Sequence, residues 1–146
     1  GDKKLVYIST DYVYPGTSGG YKETDALFPV NKYAWSKLGG ECAVKLCRNS
    51  LIIRACMTER PFVHPKALVD SKKSLMYIDE AACVCLKLFE QTGIINVGGS
   101  PTNSYDFIKQ ERPNIEKIYR KDILDVRMAE DSTMDLTRLG EILDED

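Results

Sequence analysis

Histidine is almost missing from this chain, which has 146 residues and a single one, His64. That shortage argues against a Cys/His zinc site, and no metal is expected. The five cysteines (Cys42, Cys47, Cys56, Cys83 and Cys85) are odd in number and have no C-x-x-C spacing. Cys83 and Cys85 stand two apart, which on a helix turns them to different faces. They read as reduced thiols, and the expected location is cytoplasmic. No apolar run approaches the roughly 20 residues of a membrane span. The apolar part of the opening "GDKKLVYIST" is too short for a signal sequence. No run of Lys or Arg exceeds two, and 20 basic against 22 acidic residues leave a net charge of −2. Neither nucleic acid nor a membrane is therefore an expected partner. Repeats and low-complexity segments are absent, and the acidic end "EILDED" reads as a solvated tail.

What is present is an alternation of strands and helices. The length suits one domain, able to bury roughly two thirds of its unfolded surface. Residues 4–9 form a short apolar, β-rich run, and "SLIIRAC" (50–56) and "GIINVGG" (93–99) are similar. Such runs suit strands covered on both faces. The stretch from Tyr12 to Phe28, with Pro15, Gly16, Gly19 and Gly20, reads as a long surface loop. Pro29 and Asn31 are helix-start signals for a helix running to about Arg48. "SLMYI" is a candidate short strand, and "DEAACVCLKLFEQ" a helix whose opening acids Asp79 and Glu80 suit its N-terminal dipole. "NSYDFIKQE" reads as a short helix capped by Asn103 or Ser104, "IEKIYRK" as a strand, and "DSTMDLTRLGEIL" as a closing helix. The "TERPFVHPKALVDSKK" segment reads as irregular, with His64 on a surface or substrate loop. The expected fold is α/β: a partial Rossmann-like parallel sheet with flanking helices, plus small C-terminal elements. Only three or four strands are visible, against five or six in common doubly wound sheets.

Chemistry concentrates near the start. The first strand ends in Ser9-Thr10-Asp11, and the first helix carries Tyr33 one turn before Lys37. Only about one phenol in a thousand is ionised at pH 7, and a neighbouring ammonium favours that form. A phenol so tuned suits proton transfer to an alcohol/carbonyl pair, with the Thr10 hydroxyl available to steady the oxygen. Most Tyr-x-x-x-Lys pairs are surface features without chemistry; here the strand tip, loop, helix and second buried strand supply a context. Gly39 and Gly40, costly in mid-helix, imply close backbone packing. Tyr7, Trp35 and Phe62 read as packing residues. Arg54 reads as a partner for an acid or as part of a site wall.

"ISTDYVYPG", the run from "YKETD" through "PVNKYAWSKLGGE", and "LIIRACM" resemble the extended short-chain dehydrogenase/reductases. The resemblance is strongest over residues 4–57 and nearest to dTDP-4-dehydrorhamnose reductase-like sugar-nucleotide enzymes. It implies Tyr33 as general acid and Lys37 as its tuner and as a contact to the nicotinamide ribose. It also implies Thr10 as the hydroxyl on the substrate oxygen, Asp11 as the acid following it, and Ala55, Cys56 and Met57 beside the nicotinamide. The implied cofactor is NADP or NAD, and the implied substrate a nucleotide-activated 4-keto-6-deoxy sugar. Tyr12 stands where the family's dehydratases carry Glu, so reduction, or epimerisation with reduction, is expected rather than dehydration. Residues 1–57 are expected to be the catalytic half of a Rossmann-like domain, and 58–146 the rest of the sheet with a substrate lobe.

The family's Gly-x-x-Gly-x-x-Gly cofactor fingerprint does not occur in the chain. "PGTSGGYKETD" has the wrong spacing and runs into Pro29, and "NVGGSPTN" is cut by proline. The chain is accordingly expected to be part of a reductase, not active alone, and to need a complementing N-terminal segment. The alternatives are a homo-oligomer or a non-catalytic binding or regulatory module on the same scaffold.

Overall fold

A computed structural model describes residues 3–144. In chain order the elements are β1 (Leu5–Thr10), α1 (Lys32–Val44), β2 (Ser50–Ala55), β3 (Met57–Thr58), β4 (Lys66–Leu68), β5 (Lys72–Lys73) and β6 (Met76–Tyr77). They continue with α2 (Ile78–Lys87), β7 (Gly93–Val97), β8 (Thr102–Asn103), α3 (Ser104–Ile108), β9 (Glu116–Ile118) and α4 (Thr137–Asp144). The α/β class read from the sequence holds.

The main sheet is parallel, in the order β1-β2-β7. Its central strand, β2, is buried from Leu51 to Ala55, as a strand covered on both faces requires. The strand period of two sorts its side chains. Leu51, Ile53 and Ala55 join Val6, Ile8, Ile95 and Val97 against Leu88 after α2 and Leu139 of α4. Arg54, with Tyr7 and Ser9 of β1, faces α1 instead. Thr10 and Ala55 are paired at the carboxyl ends of adjacent strands, where open α/β sheets place their ligands. The remaining strands form two-stranded pairs, β3-β6, β4-β9 and β5-β8.

Asn31 caps α1 by accepting a hydrogen bond from the Ala34 N–H at 3.0 Å. The helix ends at Val44, and turns carry the chain on to β2. The two glycines divide. A Cβ on Gly40 would collide with the Tyr7 hydroxyl, whereas one on Gly39 would meet open space. Gly40 thus lets Tyr7 lie under the helix and donate to the Lys37 carbonyl at 3.2 Å. Packing explains Gly40 and does not explain Gly39.

Below Lys37, α1 is fastened by ionic contacts. Glu41 is wholly buried and bridges Arg54 of β2 at 2.8 Å, with Arg54 only 1% exposed. The Ser9 hydroxyl donates to the other Glu41 oxygen at 2.8 Å. Arg54 also donates to the Tyr14 hydroxyl at 3.0 Å and to the Glu23 carbonyl at 3.1 Å. Arg54 is therefore a partner of a helix acid rather than a wall of the cavities described below.

Several expectations need correction. The loop after β1 is a surface loop only in part: Thr17, Ser18, Gly20, Lys22 and Phe28 are exposed, but Tyr12, Val13, Tyr14 and Tyr21 are buried. Its turns carry aromatic side chains inward, and Tyr14 and Tyr21 stack with centroids 5.0 Å apart. Trp35 is 53% exposed and lies edge-on to Phe28, so it does not serve the core. The closing helix begins only at Thr137. Residues 129–134 are drawn out as a strap instead, because their polar groups find partners elsewhere. Ser71 donates to the Ala129 carbonyl at 2.6 Å, and the Met134 N–H donates to Ser74 at 3.0 Å. Strands β4, β5 and β8 have only two or three residues each, too short for periodicity to reveal.

Replacing Glu41 by Gln leaves the Arg54 charge buried and uncompensated. Urea unfolding is expected to show a loss of about 3–5 kcal/mol, much of it recovered when Arg54→Met is combined with Glu41→Leu. Gly40→Ala is expected to cost about 1–3 kcal/mol through overpacking. Gly39→Ala is expected to stabilise by up to about 1 kcal/mol on helix propensity.

Candidate functional site

The strand tips, the first turns of α1, Lys73 of β5, and Val126 and Met128 line a cavity of about 610 Å³. Thr10, Asp11, Tyr33, Lys37, Ala55, Cys56 and Met57 all line it. Every site residue expected from the sequence thus faces one space. Asn31, as the cap, fixes where α1 begins and so holds Tyr33 at the mouth, 60% exposed. Lys37 follows one turn deeper, but its ammonium lies over the Tyr7 ring, 4.5 Å from the centroid. Among the described residues no hydrogen bond joins it to Tyr33.

Thr10 and Asp11 are almost enclosed, 7% and 5% exposed. Thr10 donates to Asp11 Oδ1 at 3.2 Å and accepts from the Tyr12 N–H at 3.2 Å. Ser132, on the strap, donates to Asp11 Oδ2 at 2.6 Å. Burial pushes the Asp11 carboxyl above its usual range, against the pull of the Lys73 ammonium and the hydroxyls of Ser132 and Thr10. Burial, with Asp11 beside it, pushes the Cys56 thiol well up, so it is held neutral. Burial works against the Lys73 ammonium, but Tyr12, Cys56 and Asp11 outweigh it and keep Lys73 charged.

Lys73 and Ser132 were not legible as site residues. Lys73 stands in a "KK" pair that reads as surface charge, yet β5 exposes Lys72 and turns Lys73 inward. Ser132 fell inside an expected helix. A second cavity of about 460 Å³ adjoins the first, sharing Met57, Lys73, Leu75 and Met128 with it. Phe62, His64 and Ser104 line its far side. Its loop is clamped by Arg60, which bridges Glu80 at 3.1 Å and Glu111 at 3.2 Å and covers the Tyr77 ring at 3.8 Å. Asp79 and Glu80 therefore serve this clamp as well as the helix start.

The glycine-bearing loop after β1 is a nest, and its contents come from the chain itself. The Tyr21 hydroxyl accepts from the backbone N–H groups of Thr17 at 2.9 Å and Ser18 at 3.1 Å. Donors that could cradle a phosphate are thus engaged by a phenol. The Gly99 N–H is likewise taken, by the Ser74 carbonyl at 2.9 Å. Among the described residues, neither glycine-bearing segment therefore offers a free cradle for a pyrophosphate. No group of three or more His, Cys, Asp or Glu with metal-binding geometry occurs among the described residues. No helix among them is long and apolar enough to cross a membrane.

Comparison with known proteins finds sequence similarity over the first part of the chain and fold similarity over nearly all of it. Residues 2–58 match the family described as RmlD substrate binding domain. The chain is 48% identical over 52 residues to the dTDP-4-dehydrorhamnose reductase of Salmonella typhimurium, covering 34% of this chain and 17% of that protein. It is 44% identical over 55 residues to the methionine adenosyltransferase 2 subunit beta of Danio rerio, covering 37% and 17%. A crystal structure of a hypothetical dTDP-4-dehydrorhamnose reductase from Sulfolobus tokodaii superposes with a TM-score of 0.80 at 29% identity, over 97% of this chain and 59% of that one. The Bacillus anthracis dTDP-4-dehydrorhamnose reductase, solved in complex with NADP, shares the fold with a TM-score of 0.76 at 22% identity, over 94% and 57%. The chain therefore spans less than two thirds of the length of the proteins it matches. It is similar, in sequence over residues 2–58 and in fold over most of its length, to sugar-nucleotide reductases of the extended short-chain dehydrogenase/reductase type. Residues 2–58 accordingly resemble a dTDP-4-dehydrorhamnose reductase-like substrate-binding region.

Burial alone would raise the Tyr21 phenol, but its hydrogen bonds from Ser18 and Thr17 lower it to about 8. A depressed acid contributes stability above its unfolded pKa, near 10, that is lost as pH falls through the folded value. The unfolding free energy of the wild type, less that of Tyr21→Phe, is thus expected to grow by on the order of 2 kcal/mol between pH 8 and 10. Urea titrations at several pH values measure it.

Proposed function

We propose that this chain is the proton-donating, substrate-facing portion of an NAD(P)-dependent reductase, or epimerase/reductase, acting on a nucleotide-activated 4-keto-6-deoxy sugar. The observation that carries the reading is the shared lining of one cavity by Thr10, Asp11, Tyr33, Lys37, Ala55, Cys56 and Met57. Tyr33 gives its phenolic proton to the sugar C4 oxygen, and the Thr10 hydroxyl holds that oxygen. Lys37 leaves the Tyr7 ring, a contact worth about 0.5–1 kcal/mol, to reach the ribose and Tyr33. Bound NAD(P)H supplies the hydride; Ala55, Cys56 and Met57 form the wall beside its ring. The adjoining cavity takes the rest of the substrate, so that the sugar lies where Lys73 and Met128 join the two spaces.

The pyrophosphate is held in this reading by a glycine-bearing segment outside the chain. That segment pairs along β1, which is an edge strand of the main sheet among the described residues. A second reading, a non-catalytic regulatory module, draws support from the similarity to a protein named as a subunit.

Titration of NADPH fluorescence is expected to show no tight binding by this chain alone, and binding once a strand-glycine-helix segment from a related reductase is supplied. In that reconstituted protein Tyr33→Phe is expected to lower reduction by about 10²–10⁴-fold with the fold intact. Tight binding by the isolated chain, or a Tyr33→Phe variant as active as its parent, would sink the reading. Cofactor binding with no turnover would favour the regulatory module.

A further inference from the structure

The Thr10 hydroxyl has one proton and two lone pairs. In this structure the proton goes to Asp11 Oδ1 and one lone pair accepts the Tyr12 N–H, each at 3.2 Å. A single lone pair is left for the cavity that Thr10 lines. So arranged, Thr10 can accept a hydrogen bond from a substrate alcohol but cannot donate one to a ketone. Two acceptor oxygens would face one another.

Protonation of Asp11 reverses this. Ser132 donates to Oδ2 at 2.6 Å, which leaves Oδ1 as the oxygen that takes up a proton from solvent. The new Oδ1–H then donates to Thr10 Oγ1, whose two lone pairs are both filled, by Asp11 and by the Tyr12 N–H. The Thr10 proton stays on its own oxygen and swings into the cavity. One proton is gained by the carboxyl, none is gained or lost by Thr10, and Thr10 changes from acceptor to donor.

We propose that Asp11 is a positioning residue that switches the Thr10 hydroxyl between a ketone-recognising and an alcohol-recognising state. The proposal rests on the reductase reading for its substrate, and on the Ser132–Asp11–Thr10–Tyr12 hydrogen-bond chain for its mechanics. Burial raises the Asp11 carboxyl, so the protonated state is brought nearer to neutral pH. The charged and titratable groups around it are Lys73 from β5, Cys56 after β2, the adjacent Tyr12, and Tyr33 and Lys37 across the cavity. On the strap, Asp131 is engaged with Thr133 at 2.7 Å rather than with Asp11. Lys73 favours the carboxylate, so reduction of a ketone is the direction most helped when that cation is drawn toward a bound substrate.

Neutron diffraction from crystals of this chain, at two pD values flanking the Asp11 midpoint found by carbon-13 NMR, reads the switch without any ligand. The expected result is deuterium on Thr10 Oγ1 aimed at Asp11 at the higher pD. At the lower pD it is expected on Asp11 Oδ1, with the Thr10 deuterium turned to the cavity. A Thr10 deuterium that still points at Asp11 after the carboxyl has titrated, or a carboxyl that never titrates in the folded chain, overturns the proposal. Calorimetry with a dTDP-linked 4-keto-6-deoxyhexose and its 4-hydroxy counterpart supplies the functional arm. The ketone/alcohol affinity ratio is expected to fall about tenfold as pH rises through the midpoint. In Asp11→Asn, whose amide oxygen still accepts from Ser132 and whose NH₂ donates to Thr10, the ratio is expected to stay on the ketone side at every pH. A ratio independent of pH in the wild type overturns the switch. Absence of binding by either sugar overturns the substrate reading, and the neutron result then decides the switch by itself.

Discussion

The buried ion pair between Glu41 and Arg54 is the constraint from which the arrangement of the site follows. Glu41 lies one helical turn beyond Lys37 and two beyond Tyr33, and Arg54 lies one residue before the strand end at Ala55. By joining them at 2.8 Å, and by taking the Ser9 hydroxyl as well, the pair fixes α1 against both strand tips at once. Hydrophobic contact could not do this alone, because a helix can slide along an apolar face at little cost. Two desolvated charges have one acceptable register, since any other leaves a charge unpaired. Gly40 and Tyr7 complete the seat by letting the helix approach β1 closely.

Given that register, the positions of the chemical groups are consequences of secondary structure. Tyr33 and Lys37 are adjacent on the helix face because they stand four apart. Thr10, Asp11, Ala55 and Cys56 meet because β1 and β2 are parallel and in step, Thr10 opposite Ala55. This is why so much of the site could be read from the sequence. Each group belongs to a regular element, and the elements are long enough for their apolar pattern to declare them. The strands at 5–10, 50–55 and 93–97 and the Asn31 cap carry that signal in local chemistry.

The remainder was hidden because it depends on side chains brought together from distant irregular segments. Lys73 is on a two-residue strand, where alternation has nothing to alternate against. Ser132 sits in a segment with helix-compatible composition that is drawn out by partners at Lys72, Ser74, Gly16 and Tyr21. The loop after β1 looked solvated because of its glycines and proline. Those residues in fact make the turns that carry Tyr12, Tyr14 and Tyr21 inward. The glycines at 16, 19 and 20 have positive φ, which is what lets the loop close around the Tyr21 hydroxyl.

That last feature bears on how a glycine-rich stretch should be weighed as a phosphate site. Converging backbone N–H groups make an anion nest wherever the backbone adopts the right turns. Whether the nest is available depends on what fills it. Here an internal phenol does so, lying in the stacked Tyr14–Tyr21 pair that leads through Arg54 to Glu41. The same buried network therefore fastens α1 and occupies the glycine-bearing loop that resembles a cradle. A pyrophosphate could enter it only by expelling Tyr21, which would leave the Tyr14 ring without its stacking partner and loosen the contacts behind α1. The fold thus sets Thr10, Asp11, Tyr33 and Lys37 firmly around one cavity and leaves no open phosphate cradle in the loop after β1.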